Sequence, residues 1–220
     1  MASDERLFRV RFTDALGPDL SIGRATPADW SGITTSPVTW LQQVHGNRVV
    51  RVTSPGEFRG VAADAAVTDV VGVALAVTVA DCAPLVLVGT RAIGVAHAGW
   101  RGLLAGVIRE TVAALREFDD GPIDAYLGPC IHPECYEFGE QDLATLSARY
   151  GPAVVARTDW GTPALDLPAA VRAETEFLAV ALNDEACVCT SCIGRHWSYR
   201  ARADAARQAA VCWLESTPSR

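Results

Sequence analysis

No apolar run in this chain is long enough to cross a membrane. Its most hydrophobic stretches are interrupted by Asp81, Arg91 and His97, well short of the ~20 apolar residues a spanning helix needs. A basic stripe is missing too: 19 basic against 26 acidic residues leave a net charge of -7, which excludes a nucleic-acid backbone as the expected partner. The opening M-A-S-D-E-R is charged and leads into a strand, not into an apolar leader, so the expected location is cytoplasmic. Repeats and low-complexity tracts are absent, and nothing in the pattern speaks to oligomeric state. Histidine is scarce, at four residues, which limits how many imidazole-bound metal ions the chain can hold.

What is present is a half-apolar chain of 220 residues, long enough to bury a full core, and a single domain over 1–220 is expected. Seven cysteines cannot all pair internally. In a reducing compartment they stay thiols, available for burial, metal ligation or catalysis.

The stretch from Val79 to Gly102, V-A-D-C-A-P-L-V-L-V-G-T-R-A-I-G-V-A-H-A-G-W-R-G, concentrates the chemistry. Leu85 to Val88 and Ala92 to Ala96 are short branched runs about the turn Gly89, Thr90 and Arg91, which predicts an antiparallel hairpin. Centred on Thr90, it places position 82 opposite 98, give or take one. Cys82 and His97 then lie within reach of each other at its open end.

Elsewhere, Leu7 to Phe12 reads as a strand, and the Gly, Pro, Asp, Ser and Thr of 13–37 as loop, pinned by Trp30. Trp40 to Val52 is two β-rich runs flanking His-Gly-Asn, a turn that presents His45 at a strand end. Ala62 to Thr68 carries Asp64 in a small-residue stretch. Val70 to Val79 has the nearly continuous Val, Ala and Leu of a strand buried on both faces, and delivers Asp81 and Cys82. Helical spacing predicts helices over Leu103 to Phe118, Glu140 to Tyr150, Leu167 to Leu182 and about Ala203 to Leu214, with a strand at Ile123 to Leu127. The expected fold is α+β: a mixed, largely antiparallel sheet core with flanking helices.

His45, Cys82 and His97 form a candidate zinc site with three N and S ligands and one open position, the pattern of catalytic zinc. The alternative is a buried cysteine with two hydrogen-bonded histidines, or a Cys82 nucleophile with His97 as its base. Cys130, His132 and Cys135 form a second cluster, with Cys130 in a Gly-Pro-Cys turn. Cys187, Cys189 and Cys192 resemble half of a zinc ribbon whose second pair is missing at similar spacing, so local packing is the expectation for them. The aromatics Trp100, Tyr136, Trp197 and Tyr199 offer a flat face to a purine or fill core.

Q-V-H-G at 43–46, V-A-D-C-A-P-L at 79–85, A-H-A-G-W-R-G at 96–102, L-G-P-C-I at 127–131, Y-E-F-G at 136–139 and S-Y-R at 198–200 resemble the YfiH-type laccase-domain family. That family is variously described as multicopper polyphenol oxidase, purine nucleoside phosphorylase with adenosine deaminase activity, and peptidoglycan editing factor. The motifs run in the family's order from about residue 40 onward, and A-H-A-G-W-R-G is the most specific. The resemblance implies that His45, Cys82 and His97 bind a catalytic zinc. One region departs from the pattern: the longer glycine-rich loop and Asn-Arg pair that precede Q-V-H-G in the family are compressed here, leaving 13–39 as a shortened loop region.

The resemblance implies phosphorolysis of adenosine, inosine, guanosine or methylthioadenosine, with adenosine deamination as a side activity; nucleoside and phosphate are then the partners. Asp64 and Asp81 are the candidate proton carriers, or hold a turn or a ligand's second ring nitrogen. Arg48 and Arg101 are candidate phosphate contacts, or surface ion pairs. A Cys-His hydrolase acting on a cell-wall precursor is the alternative activity. Copper-dependent polyphenol oxidation fits less well, because multicopper chemistry needs many histidines.

Overall fold

The computed structural model describes residues 6–118 and 120–216. Its strands are β1 (Arg6–Phe12), β2 (Val38–Trp40), β3 (Val49–Arg51), β4 (Ala65–Thr68), β5 (Ala74–Val79), β6 (Ala83–Val88), β7 (Ile93–Ala98), β8 (Asp124–Leu127), β9 (Val155–Arg157), β10 (Pro163–Leu165), β11 (Ala181–Asn183) and β12 (Gln208–Ser216). The helices are α1 (Pro27–Ser31), α2 (Trp100–Ala105), α3 (Val107–Arg116), α4 (Glu140–Tyr150), α5 (Leu167–Phe177) and α6 (Tyr199–Arg202).

The strands build a four-stranded sheet in the order β1-β12-β5-β2 and a six-stranded sheet in the order β11-β8-β6-β7-β4-β3, with β9 and β10 paired separately. Most pairings are antiparallel; β2 with β5, β3 with β4 and β8 with β11 are parallel. The mixed α+β fold expected from the sequence is therefore present.

The inner strands β4, β5, β6 and β7 are buried on both faces, whereas the edge strands β1, β3 and β11 are partly exposed. Leu75, Val77, Ala210, Cys212 and Leu214 of the four-stranded sheet meet Val86, Val88, Ile93 and Val95 of the six-stranded one in a shared core layer. On the far side of the large sheet, Leu85, Leu87 and Ala96 pack under Val107, Ile108, Val112 and Leu115 of α3 and Leu146 of α4. On the outer face of the small sheet, Ala74, Ala76, Ala209 and Val211 are covered by Leu20, Trp30 and Ile33. Trp30 thus pins the 13–37 segment as its sequence suggests, and that segment also contains α1, closed by a capping box between Thr26 and Asp29.

Three element assignments differ from the sequence reading. Gln208–Ser216 is a strand between β1 and β5, not the end of a helix over 203–214. Its alanines favour a helix in isolation, but both its faces are buried, so no polar alternation marks it as a strand, and two pairing partners outweigh propensity. The helix expected over 167–182 ends at Phe177: Ala179 turns left-handed at φ 55, and β11 follows parallel to β8. The helix expected over 103–118 is two helices, broken where Gly106 adopts φ 89.

The β6–β7 hairpin pairs Ala83 with Ala98 and Val88 with Ile93, which sets position 82 across from 99, one residue from the expected register.

Candidate metal centre

Three separate segments bring His45, Cys82 and His97 together. Cys82 follows the end of β5, His97 lies on β7, and His45 stands in the turn between β2 and β3. Their ligand atoms all lie within 4.8 Å of one another, and the two imidazole rings are 4.8 Å apart between centroids. His97 is buried, Cys82 is partly exposed and His45 is exposed, so the trio forms a floor open on one side.

Asp64 organises this floor. Its side chain is fully buried, and Oδ1 lies 2.8 Å from His97 Nδ1. The same carboxylate accepts hydrogen bonds from the backbone N–H groups of Val44, His45 and Gly46 at 3.2, 2.9 and 2.8 Å. Those bonds hold His45 at φ 59, a left-handed conformation that costs a non-glycine residue about 1–3 kcal/mol when nothing compensates. Meanwhile the Asp64 carbonyl accepts from His97 N at 2.8 Å. With Nδ1 engaged by a carboxylate, His97 presents Nε2 as its free donor atom.

The His45 turn is tied down twice more. Gln43 bridges to β5 through Nε2–H to the Thr78 carbonyl at 2.7 Å and from Thr78 N to Oε1 at 2.8 Å. Asn47 Nδ2 donates to the Ala105 carbonyl at the end of α2.

Glycine at position 99 is a steric requirement. A Cβ there would stand 2.8 Å from His45 Nδ1 and 3.1 Å from Cys82 Sγ, inside the space the donors share. The sequence A-H-A-G therefore supplies a ligand and, two residues on, the room beside it.

Burial opposes ionisation of the Cys82 thiol, but the charge and hydrogen bonds of His97 and His45 outweigh it and lower its pKa to about 6. Burial also opposes protonation of His97, and there the Cys82 thiolate and Asp64 prevail, raising the pKa to about 9. Each of the two groups thus favours the charged form of the other. Two imidazoles and a thiolate at these separations fit a borderline-soft divalent ion, with Asp64 fixing the ring behind the site.

Above the trio lies a cleft of about 530 Å³, within the range of small-ligand sites. Gln43, Thr78, Ile22, Tyr199 and Arg207 line it together with His45, Cys82 and His97. Of the four candidate proton carriers and phosphate contacts, Asp64, Asp81, Arg48 and Arg101, none lines this cleft. Asp64 lies behind His97. Asp81, at φ 91, accepts from Thr190 Oγ1 on one carboxylate oxygen and from Arg200 N on the other, each at 2.6 Å. Arg48 donates to the Ala62 carbonyl, and the Arg101 guanidinium stacks 4.2 Å over the Trp100 ring. Trp100 and Tyr136 each pack edge-on to Phe138, so of the four aromatics only Tyr199 reaches the cleft.

Sequence reasoning missed Arg207 and Thr78. Nothing local distinguishes Arg207 from other surface arginines; it reaches the cleft because β12 runs beside β5. Gln43 lies inside the motif Q-V-H-G, which draws attention only to its histidine, whereas Tyr199 is one of the four aromatics that the sequence offers as a purine face.

Residues 22–215 match the family model described as multi-copper polyphenol oxidoreductase laccase. A relative from Streptomyces coelicolor, named purine nucleoside phosphorylase SCO2081, is 39% identical over 209 residues, covering 91% of this chain and 86% of its own length. Another, purine nucleoside phosphorylase ORF3 from Streptomyces griseus, is 36% identical over 91% of this chain and 85% of its own. Among solved structures, Neisseria meningitidis protein NMB0706 superposes with a TM-score of 0.79 at 26% identity, covering 98% of this chain and 96% of that one. With the motifs, the fold and the convergent trio in agreement, the chain belongs to the laccase-domain family that this model describes.

Proposed function

We propose that this chain is a zinc-dependent purine nucleoside phosphorylase of the cytoplasm, acting on adenosine, inosine, guanosine or methylthioadenosine, with adenosine deamination as a side activity. One observation carries the reading: two imidazoles and a thiol converge on a single point at the floor of a cleft of nucleoside size. The names of the relatives from both Streptomyces species support the same chemistry.

His45, Cys82 and His97 would hold the zinc, which supplies a Lewis acid facing the cleft. In phosphorolysis a phosphate oxygen bonds to C1′ of the ribose while the C1′–N9 bond breaks and the purine leaves with the electron pair. Arg207 is the guanidinium at the cleft wall and would hold phosphate through a charge-assisted bond. Tyr199 would stack on the base from the rim. Asp64 keeps the His97 ring and the His45 turn in place, so its role is positioning. Asp81 anchors the segment that carries Tyr199, through Thr190 and the backbone of Arg200. Arg48 and Arg101 would add positive charge at the edges of the site.

The test is product analysis with each nucleoside, with and without phosphate. Phosphate-dependent release of free base together with ribose 1-phosphate is the expected result; no turnover of any purine nucleoside overturns the reading.

A second reading rests on the partly accessible Cys82 thiol lying within reach of His97: a cysteine hydrolase acting on an amide of a cell-wall precursor. Full activity in a chelator, abolished by alkylating Cys82, would favour it. The copper oxidation in the family's description needs more imidazoles than converge here, and phenol oxidation by the copper-loaded protein is the measurement that would restore it.

A further inference from the structure

We propose that the chain carries a second metal site, a zinc clasp formed by Glu134, Cys135, Cys189 and Cys192, separate from the His45 centre and independent of the phosphorylase reading. The missing half of the ribbon-like Cys187, Cys189 and Cys192 series lies far back in the sequence. Cys130, His132 and Cys135 have the same internal spacing, and each stands 57 residues before its counterpart: Cys130 with Cys187, His132 with Cys189, Cys135 with Cys192. The two segments run parallel, joined by a bridge between Cys130 and Cys189, with Cys130 N donating to the Val188 carbonyl and Thr190 N to that of Cys130.

In this register the donors of Glu134, Cys135, Cys189 and Cys192 come within 4.8 Å of one another. Cys135 Sγ is 3.2 Å from Cys192 Sγ, and Cys192 Sγ is 3.4 Å from Glu134 Oε1. A tetrahedron of Zn–S bonds of about 2.3 Å has edges of about 3.8 Å, inside this span. A disulfide between Cys135 and Cys192 would need a sulfur separation of about 2.05 Å and would leave the convergence of Cys189 and Glu134 on the same point unexplained. The backbone N–H of His132 points at Cys189 Sγ from 3.4 Å, the outer-shell bond that a metal-bound thiolate accepts. Three thiolates and one carboxylate fill four positions and leave none open, so the site is structural. Beside it, Cys130, His132 and Cys187 close the inner end of the same pairing, at 3.7 Å between the sulfurs and 3.4 Å from His132 Nε2 to Cys187 Sγ.

The clasp joins the turn after β8 to the segment that leads into α6. That segment carries Thr190, bonded to Asp81 beside Cys82, and ends on Tyr199 at the cleft wall. An ion here would therefore brace one side of the candidate active site.

Zinc content of the full-length protein, purified with reductant and without chelator, tests the clasp. Against wild type, Cys192→Ser and, separately, Cys135→Ser are each expected to lose one zinc per chain. Cys82→Ser is expected to lose a different one, so that Cys82→Ser/Cys192→Ser loses two. In the Cys82→Ser background, chelator should lower the melting temperature, and adding Cys192→Ser should remove that response. Unchanged zinc content in both clasp variants overturns the proposal, and so does a Cys135–Cys192 disulfide in protein alkylated anaerobically before purification. Loss of zinc in the clasp variants but not in Cys82→Ser would uphold the clasp and sink the catalytic zinc instead.

Discussion

His97 Nδ1 lies 2.8 Å from Asp64 Oδ1, and the same carboxylate holds the backbone of the His45 turn, so one buried residue sets the orientation of two candidate metal ligands. Replacing Asp64 with Asn leaves the shape but brings an amide N–H against groups that are themselves donors. Zinc affinity is expected to fall about 10- to 100-fold, as for other outer-shell partners of ligating histidines. Competition with a chelator of known affinity measures this, and an unchanged dissociation constant would remove Asp64 from the metal centre.

Gly99→Ala separates metal binding from folding. Its backbone, at φ -71 and ψ 159, suits any residue, so the strain comes only from the new methyl against His45 Nδ1 and Cys82 Sγ. The variant is expected to fold with the secondary structure of wild type while retaining less than half of the zinc lost in Cys82→Ser. Circular dichroism alongside metal analysis reads both; full zinc retention would show that the donors do not meet beside Gly99.

The thiol of Cys82 is expected to be reactive well below the range of ordinary cysteines once chelator has removed any metal. Its pKa is lowered from 9.0 to about 6, so thiolate is present above pH 6 and is lost as pH falls through that value. Alkylation by iodoacetamide, followed at Cys82 by mass spectrometry from pH 5 to 9, should show a midpoint near 6. A midpoint near 9 would mean that His97 and Cys82 are not an ion pair.

Arg207→Ala should act on phosphate before it acts on nucleoside. A hydrogen bond to a charged group is worth about 1.5–3 kcal/mol, which predicts a rise in KM for phosphate of about 10- to 100-fold. Initial rates with each substrate varied in turn check it. Equal rises for both substrates would assign Arg207, which also donates to the carbonyls of Asp204 and Ala206, to holding the loop.

Trp30→Ala tests the cover of the small sheet. Trp30 packs with Leu20 and Ile33 on Ala74 and Ala76 of β5, and truncating a buried tryptophan costs about 3–5 kcal/mol. Denaturant unfolding reads the loss, and a change below about 1 kcal/mol would mean that the 20–34 segment does not depend on this anchor.

Local chemistry by itself was enough to locate the hairpin, the doubly buried β5 and the three candidate ligands, because each depends on residues close in sequence: a tight turn between branched runs, an unbroken apolar stretch, a histidine or cysteine at a strand end beside glycine. It failed at β12, where alanines read as helix until β1 and β5 supply partners, and at the end of α5, where Ala179 turns the chain into β11. It also left Asp64 and Asp81 with open roles, since a carboxylate's task is decided by the groups it meets. Only the tertiary structure showed Asp64 turned onto His97, Arg207 brought to the cleft, and Cys130, His132 and Cys135 aligned with Cys187, Cys189 and Cys192. Those pairings span tens of residues or more, and no periodicity or spacing within one segment encodes which distant segment will pack against it.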